Sequence, residues 1–285
     1  MSELIGFVYA LTAAIIWGVY LVPFKKMKAD IYYSQFLMCL GIFISTFLIS
    51  IFFNFPLSLS IFGLISGIMW TFGNLSALLA INEIGISRAF PIWISNTLIM
   101  FAWGVVLFRE LTNLVNIFFG LLGVLLIFTG CILVGTTKKE KEKSTTTKKG
   151  ILFALIAAVI FGSGFVPLKL SGISGEEFFF QMAIGIMITS TLIFIMRMKI
   201  PKDLQMTKGL LTGFLWTIAN LFAIYATLLL GLSRGGPITQ IAGLIGALWG
   251  LFYFKEFKKK KQIIQIIISS IIVVTGTILL SLAGG

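Results

Sequence analysis

The sequence has no histidine, two cysteines and only ten acidic residues in 285. Without histidine it lacks the commonest general base and the commonest metal ligand. The two cysteines, Cys39 and Cys131, lie inside apolar runs and make no disulfide framework. Both aspartates, Asp30 and Asp203, fall in loops. Glu83 is the carboxylate that approaches an apolar run with no base beside it in sequence. No phosphate loop, nucleophile–base pair or metal-ligand cluster is present. These absences argue against an enzyme, and the expectation is no catalytic residue, no metal and no cofactor. Charge is scarce as well. Charged residues make up 11% of the chain and mean hydropathy is +1.06, whereas soluble domains carry about 25% charged residues. A soluble fold is excluded on that ground.

What the chain does contain is a series of apolar runs near the length that crosses a hydrocarbon core, about 20 residues. They read as spans at 4–24, 31–53, 59–81, 88–108 and 114–135, then 150–170, 177–198, 208–230, 235–254 and 262–282. The predicted fold class is an all-α polytopic membrane protein with ten transmembrane helices. A β-barrel would show short alternating segments instead. The first run is too long for a signal-peptide core and has no small-residue cleavage site. Between the fifth and sixth spans, TTKKEKEKSTTTKK at 136–149 breaks the hydropathy and reads as a solvated linker. The chain thus divides into 1–135, the linker 136–149, and 150–285.

The two parts are copies. GLISGIMWTFGNLSALLAINEIGISRAFP at 63–91 matches GLLTGFLWTIANLFAIYATLLLGLSRGGP at 209–237 with an offset of 146. Gly63, Gly67, Trp70, Thr71, Asn74, Ser87, Arg88 and Pro91 fall on Gly209, Gly213, Trp216, Thr217, Asn220, Ser233, Arg234 and Pro237. Apolar composition alone would not match Trp, Asn, Arg and Pro at one spacing, so this is an internal duplication. An earlier match, with Pro23 and Lys25 on Pro167 and Lys169, has an offset of 144. A two-residue insertion is therefore expected before an anchor of Gln35 on Gln181.

Loop charges set the orientation. Of the 22 Lys and Arg, 19 lie in loops that follow odd-numbered helices, and only Arg109, Lys169 and Arg234 follow even-numbered ones. Positive loops stay cytoplasmic, so the odd loops are expected inside and both termini outside. The net charge of +12 is then a matter of membrane topology, and nucleic acid is not an expected partner. Five helices per half is an odd number, which inverts the second half relative to the first. Inverted repeats around a polar midplane site are the plan of many secondary transporters.

The candidate site residues are polar or aromatic groups inside spans. Trp70 with Asn74, and Trp216 with Asn220, stand at i, i+4 on one helix face. An amide facing lipid is costly, so these faces should point inward. An aromatic surface beside a donor–acceptor amide suits a neutral polyol or sugar, and interhelical packing glue is the alternative. Trp17, Trp93, Asn96 and Gln240 join them as substrate-binding candidates, with Glu83 the coupling candidate. Ser87, Arg88 and Pro91, like Ser233, Arg234 and Pro237, read as helix openings with serine as N-cap. Each arginine there is an anion clamp or gate, or a side chain that snorkels or pairs with a carboxylate. Glu110 and Glu256, beside Arg109 and Lys255, read as interfacial ion pairs. Trp103 and Trp249 read as interfacial-belt residues. The GxxxG pairs at Gly63/Gly67, Gly209/Gly213 and Gly246/Gly250 read as packing devices.

These residues resemble the drug/metabolite transporter superfamily, and within it the bacterial glucose/ribose porters. The resemblance runs over the whole chain, through LISGIMWTFGNLSALLAINEIGISRAFPI, GFLWTIANLFAIY, and the FRE and FKE that end helices four and nine. It implies two inverted five-helix units, a cavity lined by helices 1, 3, 4, 6, 8 and 9, and transport that alternates between faces. The expected function is secondary transport of a small polar metabolite, a sugar first. The expected partners are that substrate and the lipid bilayer, with protons as the coupling candidate. An amino-acid or metabolite exporter of the same superfamily is the alternative. An ion channel is the alternative of another class, though no ring of charges supports it.

Overall fold

A computed structural model describes residues 2–25, 27, 29–84, 89, 92–135, 147–197, 199–200, 204–252 and 260–283, without the side chains of residues 21, 25, 134, 135, 247 and 249–252. Ser87, Arg88, Pro91, Lys255, Glu256, linker residues 136–146 and the Trp249 side chain lie outside the described residues.

The described residues are helical throughout: α1 (Ser2–Val19), α2 (Leu21–Lys25), α3 (Ile31–Phe52), α4 (Ile61–Ile84), α5 (Asn96–Ala102), α6 (Leu114–Gly135), α7 (Lys148–Ser163), α8 (Val166–Ser171), α9 (Gly175–Arg197), α10 (Met206–Leu230), α11 (Leu232–Thr239), α12 (Ala242–Phe252) and α13 (Lys260–Leu282). A π-helical turn, Trp103–Leu107, extends α5. Eight of the helical segments are long and apolar enough to cross a membrane. Their ends carry local caps. Asp30 accepts from the Tyr32 N–H at 2.9 Å, Asn113 from Val115 at 2.9 Å and Thr147 from Gly150 at 3.0 Å. Each satisfies a donor that the first helical turn leaves open. The outward faces are apolar, for example Leu48, Leu114, Met196 and Ile271, while serines, threonines and amides are turned inward. This inside-out distribution is what lipid as solvent requires.

The expected spans at 88–108 and 235–254 are interrupted rather than continuous. In the first, the N–H groups of Ser95, Thr97 and Leu98 donate to the carbonyls three residues back, on Ile92, Ile94 and Ser95. In the second, Gln240, Ile241 and Gly243 do the same to Pro237, Ile238 and Gln240. Two of these bonds recur at the 146 offset: Ser95 to Ile92 matches Ile241 to Ile238, and Thr97 to Ile94 matches Gly243 to Gln240. Tightening of this kind inside a helix is a feature of hinges and of strained stretches. The second helix also begins earlier than expected. Leu232 opens α11 after Gly231 (φ +81°), so Ser233 is a helical residue rather than the N-cap, and Pro237 lies inside the helix.

Packing runs mainly between the two halves of the chain. α1 lies along α10, α11 and α12; α4 lies along α7 and α9; α3 lies along α9 and α10; α6 pairs with α13. Consecutive α3 and α4 barely touch. Glycines make the close crossings possible. Gly67 abuts the backbone of Met182, Gly185 and Ile186, and Gly213 abuts that of Met38, Gly41 and Ile42. These two crossings correct the repeat register. They pair Met38, Gly41 and Ile42 with Met182, Gly185 and Ile186, so the offset is still 144 in α3 and α9. The two-residue insertion falls after those helices, and Gln35 corresponds to Phe179 rather than to Gln181.

Candidate functional site

At the centre, the rings of Trp70 and Trp216 meet with centroids 4.4 Å apart and planes tilted by 53°. Both are buried, in a cluster with Ala13, Met38, Met100, Phe165, Phe178 and Met182, and Trp17 and Phe161 pack on its edge. The face predicted from i, i+4 spacing is buried on both helices, with Asn74 and Ala77 on α4 and Asn220 and Ala223 on α10. The two amides differ. Asn220 Nδ2 reaches only a thioether, Met182 Sδ at 3.6 Å, and Asn74 Nδ2 has no partner. The indole Nε1 of Trp17 is likewise buried and without a partner. Buried donors are rarely left unmade, because each costs about 1–3 kcal/mol.

A second group sits at the two helix interruptions. Asn96 Nδ2 donates to Gln240 Oε1 at 3.1 Å, and Gln240 Nε2 reaches Thr239 Oγ1 at 3.3 Å. Asn96 is 2% exposed and its Oδ1 has no partner. The predicted residues therefore form two groups, Trp17, Trp70, Asn74, Trp216 and Asn220 in one and Asn96 with Gln240 in the other. Met100, in the central cluster and facing Gly236 of α11, links them. Trp93 packs instead against two other apolar clusters, one that includes Ile94 and Phe101 and one that includes Ala80, Ile84 and Ala154. Glu83 stands apart, with Thr147 Oγ1 at 3.3 Å and Lys149 Nζ at 3.7 Å. Although no base adjoins it in sequence, one meets it in space. Trp103 donates from Nε1 to Ser163 Oγ at 2.9 Å and ties α5 to α7.

Three residues of this interior were not singled out as functional by sequence. Gln35, 2% exposed, donates from Nε2 to the Thr71 carbonyl at 3.0 Å and leaves Oε1 buried without a partner. An amide within a span was the available signal. Glu110 and Lys169 form an ion pair at 3.1 Å with little exposure, 11% and 23%. Glu110 was read with its neighbour Arg109, and chain order could not show a partner at Lys169. Arg234 is buried and bonds Glu3 at 2.8 Å and the Leu230 carbonyl at 3.2 Å, so of its two readings it takes the one that pairs with a carboxylate. Among the described residues, no three histidine, cysteine, aspartate or glutamate side chains come together as a metal site.

Comparison with known proteins places this interior in context. Residues 8–283 match the family described as sugar transport protein. The chain is 29% identical over 280 residues to the glucose uptake protein GlcU of Bacillus subtilis (strain 168), covering 96% of this chain and 97% of that one. A solved crystal structure of a protein at 12% identity superposes with a TM-score of 0.75 over 96% of this chain and 95% of its own, a likeness of fold. With its long apolar helices and this match, the chain is an integral, multi-pass membrane protein and a transporter rather than an enzyme. It belongs to the sugar transport protein family.

Proposed function

We propose that this transporter takes up a sugar by alternating access through a central site lined by Trp17, Gln35, Trp70, Asn74, Trp216 and Asn220, with Asn96 and Gln240 at its edge. The observation that carries the reading is the Trp70–Trp216 pair with unpartnered buried amide groups on and beside the same helices. A sugar offers the complement, apolar C–H faces for the rings and hydroxyls that both donate and accept. The likeness to a glucose uptake protein puts glucose first among the substrates to test. The decisive assay is counterflow of labelled solutes in proteoliposomes. Glucose or another sugar should exchange and amino acids should not; exchange of amino acids alone would replace sugar uptake with metabolite export.

In this reading the interrupted helices count as spans, which makes ten, arranged as inverted repeats over 1–135 and 150–285 joined by the linker 136–149. The exchanged crossings, Gly67 on α9 and Gly213 on α3, support that arrangement. The moving bodies are then not the two halves of the sequence. α1, α10, α11 and α12 form one bundle, α4, α5 and α7 the other, and each contains helices of both halves. Both termini face the exterior and the basic odd-numbered loops the cytoplasm. An impermeant reagent applied to intact cells should label tags at either terminus. Labelling only after the cells are opened would reverse the orientation.

Protons are the proposed coupling ion, with Glu83 as the carrier. Glu83→Gln is expected to abolish the response of uptake to an imposed pH gradient while counterflow continues. Unchanged gradient-driven uptake would leave Glu83 as a tie between α4 and the start of α7, through Thr147 and Lys149.

A further inference from the structure

Four charged side chains from distant parts of the chain converge on the first turn of α11: Glu3, Glu110, Lys169 and Arg234. Glu110 holds the central position. Its Oε1 accepts from the Leu232 N–H at 2.8 Å and its Oε2 from the Ser233 N–H at 2.7 Å. These are donors that the start of a helix leaves open, and the helix dipole favours an anion there. Lys169 Nζ approaches the same carboxylate at 3.1 Å and lies 5.6 Å from the Phe108 ring centre. Two glycines give the carboxylate its room. A Cβ on Gly104 would stand 2.5 Å from Oε2, and one on Gly231 would stand 2.6 Å from it. The carboxylate thus joins the end of helix four to the start of helix nine and to α8 at the end of helix six. Between those joined helices the contact of α5 with α11 is closed, with Met100, 4% exposed, against Gly236.

We propose that Glu110 is a latch that shuts one face of the transporter by gripping the α11 N-terminus and Lys169, and that it releases whenever that face opens. The proposal rests on the alternating-access reading. Glu110 acts through α11, as a positioning residue, and need not touch the substrate. A grip of this kind suits a reversible gate. Its bonds are charge-assisted and therefore strong, yet they span few atoms and can be released together. The interruption in helix nine, at 237–243, begins less than two turns beyond the gripped residues, and on it α11 can swing as a short lever.

The test is thiol accessibility in reconstituted full-length protein with Cys39 and Cys131 replaced by alanine. Met100→Cys probes the α5–α11 contact from the latched face, and Ser34→Cys, buried near the start of α3, probes the opposite face. With an impermeant thiol reagent, Glu110→Gln should raise labelling at position 100 about 10- to 100-fold, the population shift that losing charged hydrogen bonds brings. Labelling at position 34 should fall, because opening one face closes the other. Lys169→Met should do the same to a smaller degree. A loosened fold would raise labelling at both positions and would overturn the proposal, as would no change at either in both variants. Glu110→Lys with Lys169→Glu rebuilds an ion pair but puts a cation at the helix start. That double variant should stay open, and normal closure would overturn the role of the α11 N–H groups. None of these readouts needs a substrate. Opposite shifts without sugar counterflow would count against the sugar alone, and sugar counterflow with unmoved labelling would count against the latch alone.

Discussion

A leucine in place of Gly67 or Gly213 is expected to abolish recovery of folded protein. At Gly67 an added Cβ would overlap the Met182 carbonyl and stand 2.7 Å from the Ile186 nitrogen. At Gly213 it would overlap the Met38 carbonyl and stand 2.6 Å from the Ile42 nitrogen. The obstacles are backbone atoms of a facing helix, so no rotamer change relieves them, and the whole helix must retreat. Overpacking of this kind costs about 3 kcal/mol or more, the upper end of its usual range, and each retreat also strips contacts along the α4–α9 or α10–α3 seam. The comparison is Gly164→Ala, whose Cβ would meet nothing closer than 3.5 Å and which should fold normally. Size-exclusion profile and thermal midpoint in detergent decide the matter. A monodisperse Gly67→Leu protein with an unshifted midpoint would show that the helices can part at no cost.

Asn74→Leu is expected to weaken sugar binding at least as much as Asn74→Ala and at the same time to leave the sugar-free protein as stable as before, or more so. Asn74 Nδ2 has no partner to lose, and a buried unmade donor costs about 1–3 kcal/mol. Leucine, with the same four-atom branched side chain, removes that cost, but it also removes the hydrogen bonds to a sugar hydroxyl. Asn74→Ala and Asn220→Ala should each weaken binding by about 1–3 kcal/mol, roughly 5- to 150-fold. Their effect on folding should be smaller, since interhelical hydrogen bonds in membranes average about 0.6 kcal/mol. Trp70→Ala is less informative alone, because emptying a buried indole site costs about 3–5 kcal/mol of stability whatever its function. Isothermal titration with glucose and thermal unfolding on the same preparations separate the readings. If Asn74→Leu binds sugar normally, the α4 face is packing and the site belongs around Asn96 and Gln240.

Much of this architecture is legible in the sequence. Hydropathy located the eight long helices because lipid requires long apolar runs, and the Trp–Asn spacing revealed the buried faces of α4 and α10. Four features were hidden for physical reasons. The repeat register in α3 and α9 depends on Met-x-x-Gly-Ile, which faces a neighbouring helix, whereas Gln35 and Gln181 share only a residue type. The interruptions near Ser95 and Gln240 arise where backbone hydrogen bonds reach three residues back instead of four. Pro237 suggested a helix start, but it sits inside a helix that Gly231 and Glu110 begin. The Glu110–Lys169 pair joins residues from different spans, and only packing brings them together.

The interleaved packing has a consequence for synthesis. When residues up to 135 have entered the membrane, α4 has neither α7 nor α9 to receive it, and α3 lacks both α9 and α10. At about 5–20 residues per second, the following 95 residues, up to Leu230, take about 5–19 s to emerge. Until α9 follows, the Gly63–Gly67 stripe faces lipid or a helper protein. The nascent first half is thus not a finished unit. Quality control can act on the chain throughout this window, before any transport site exists.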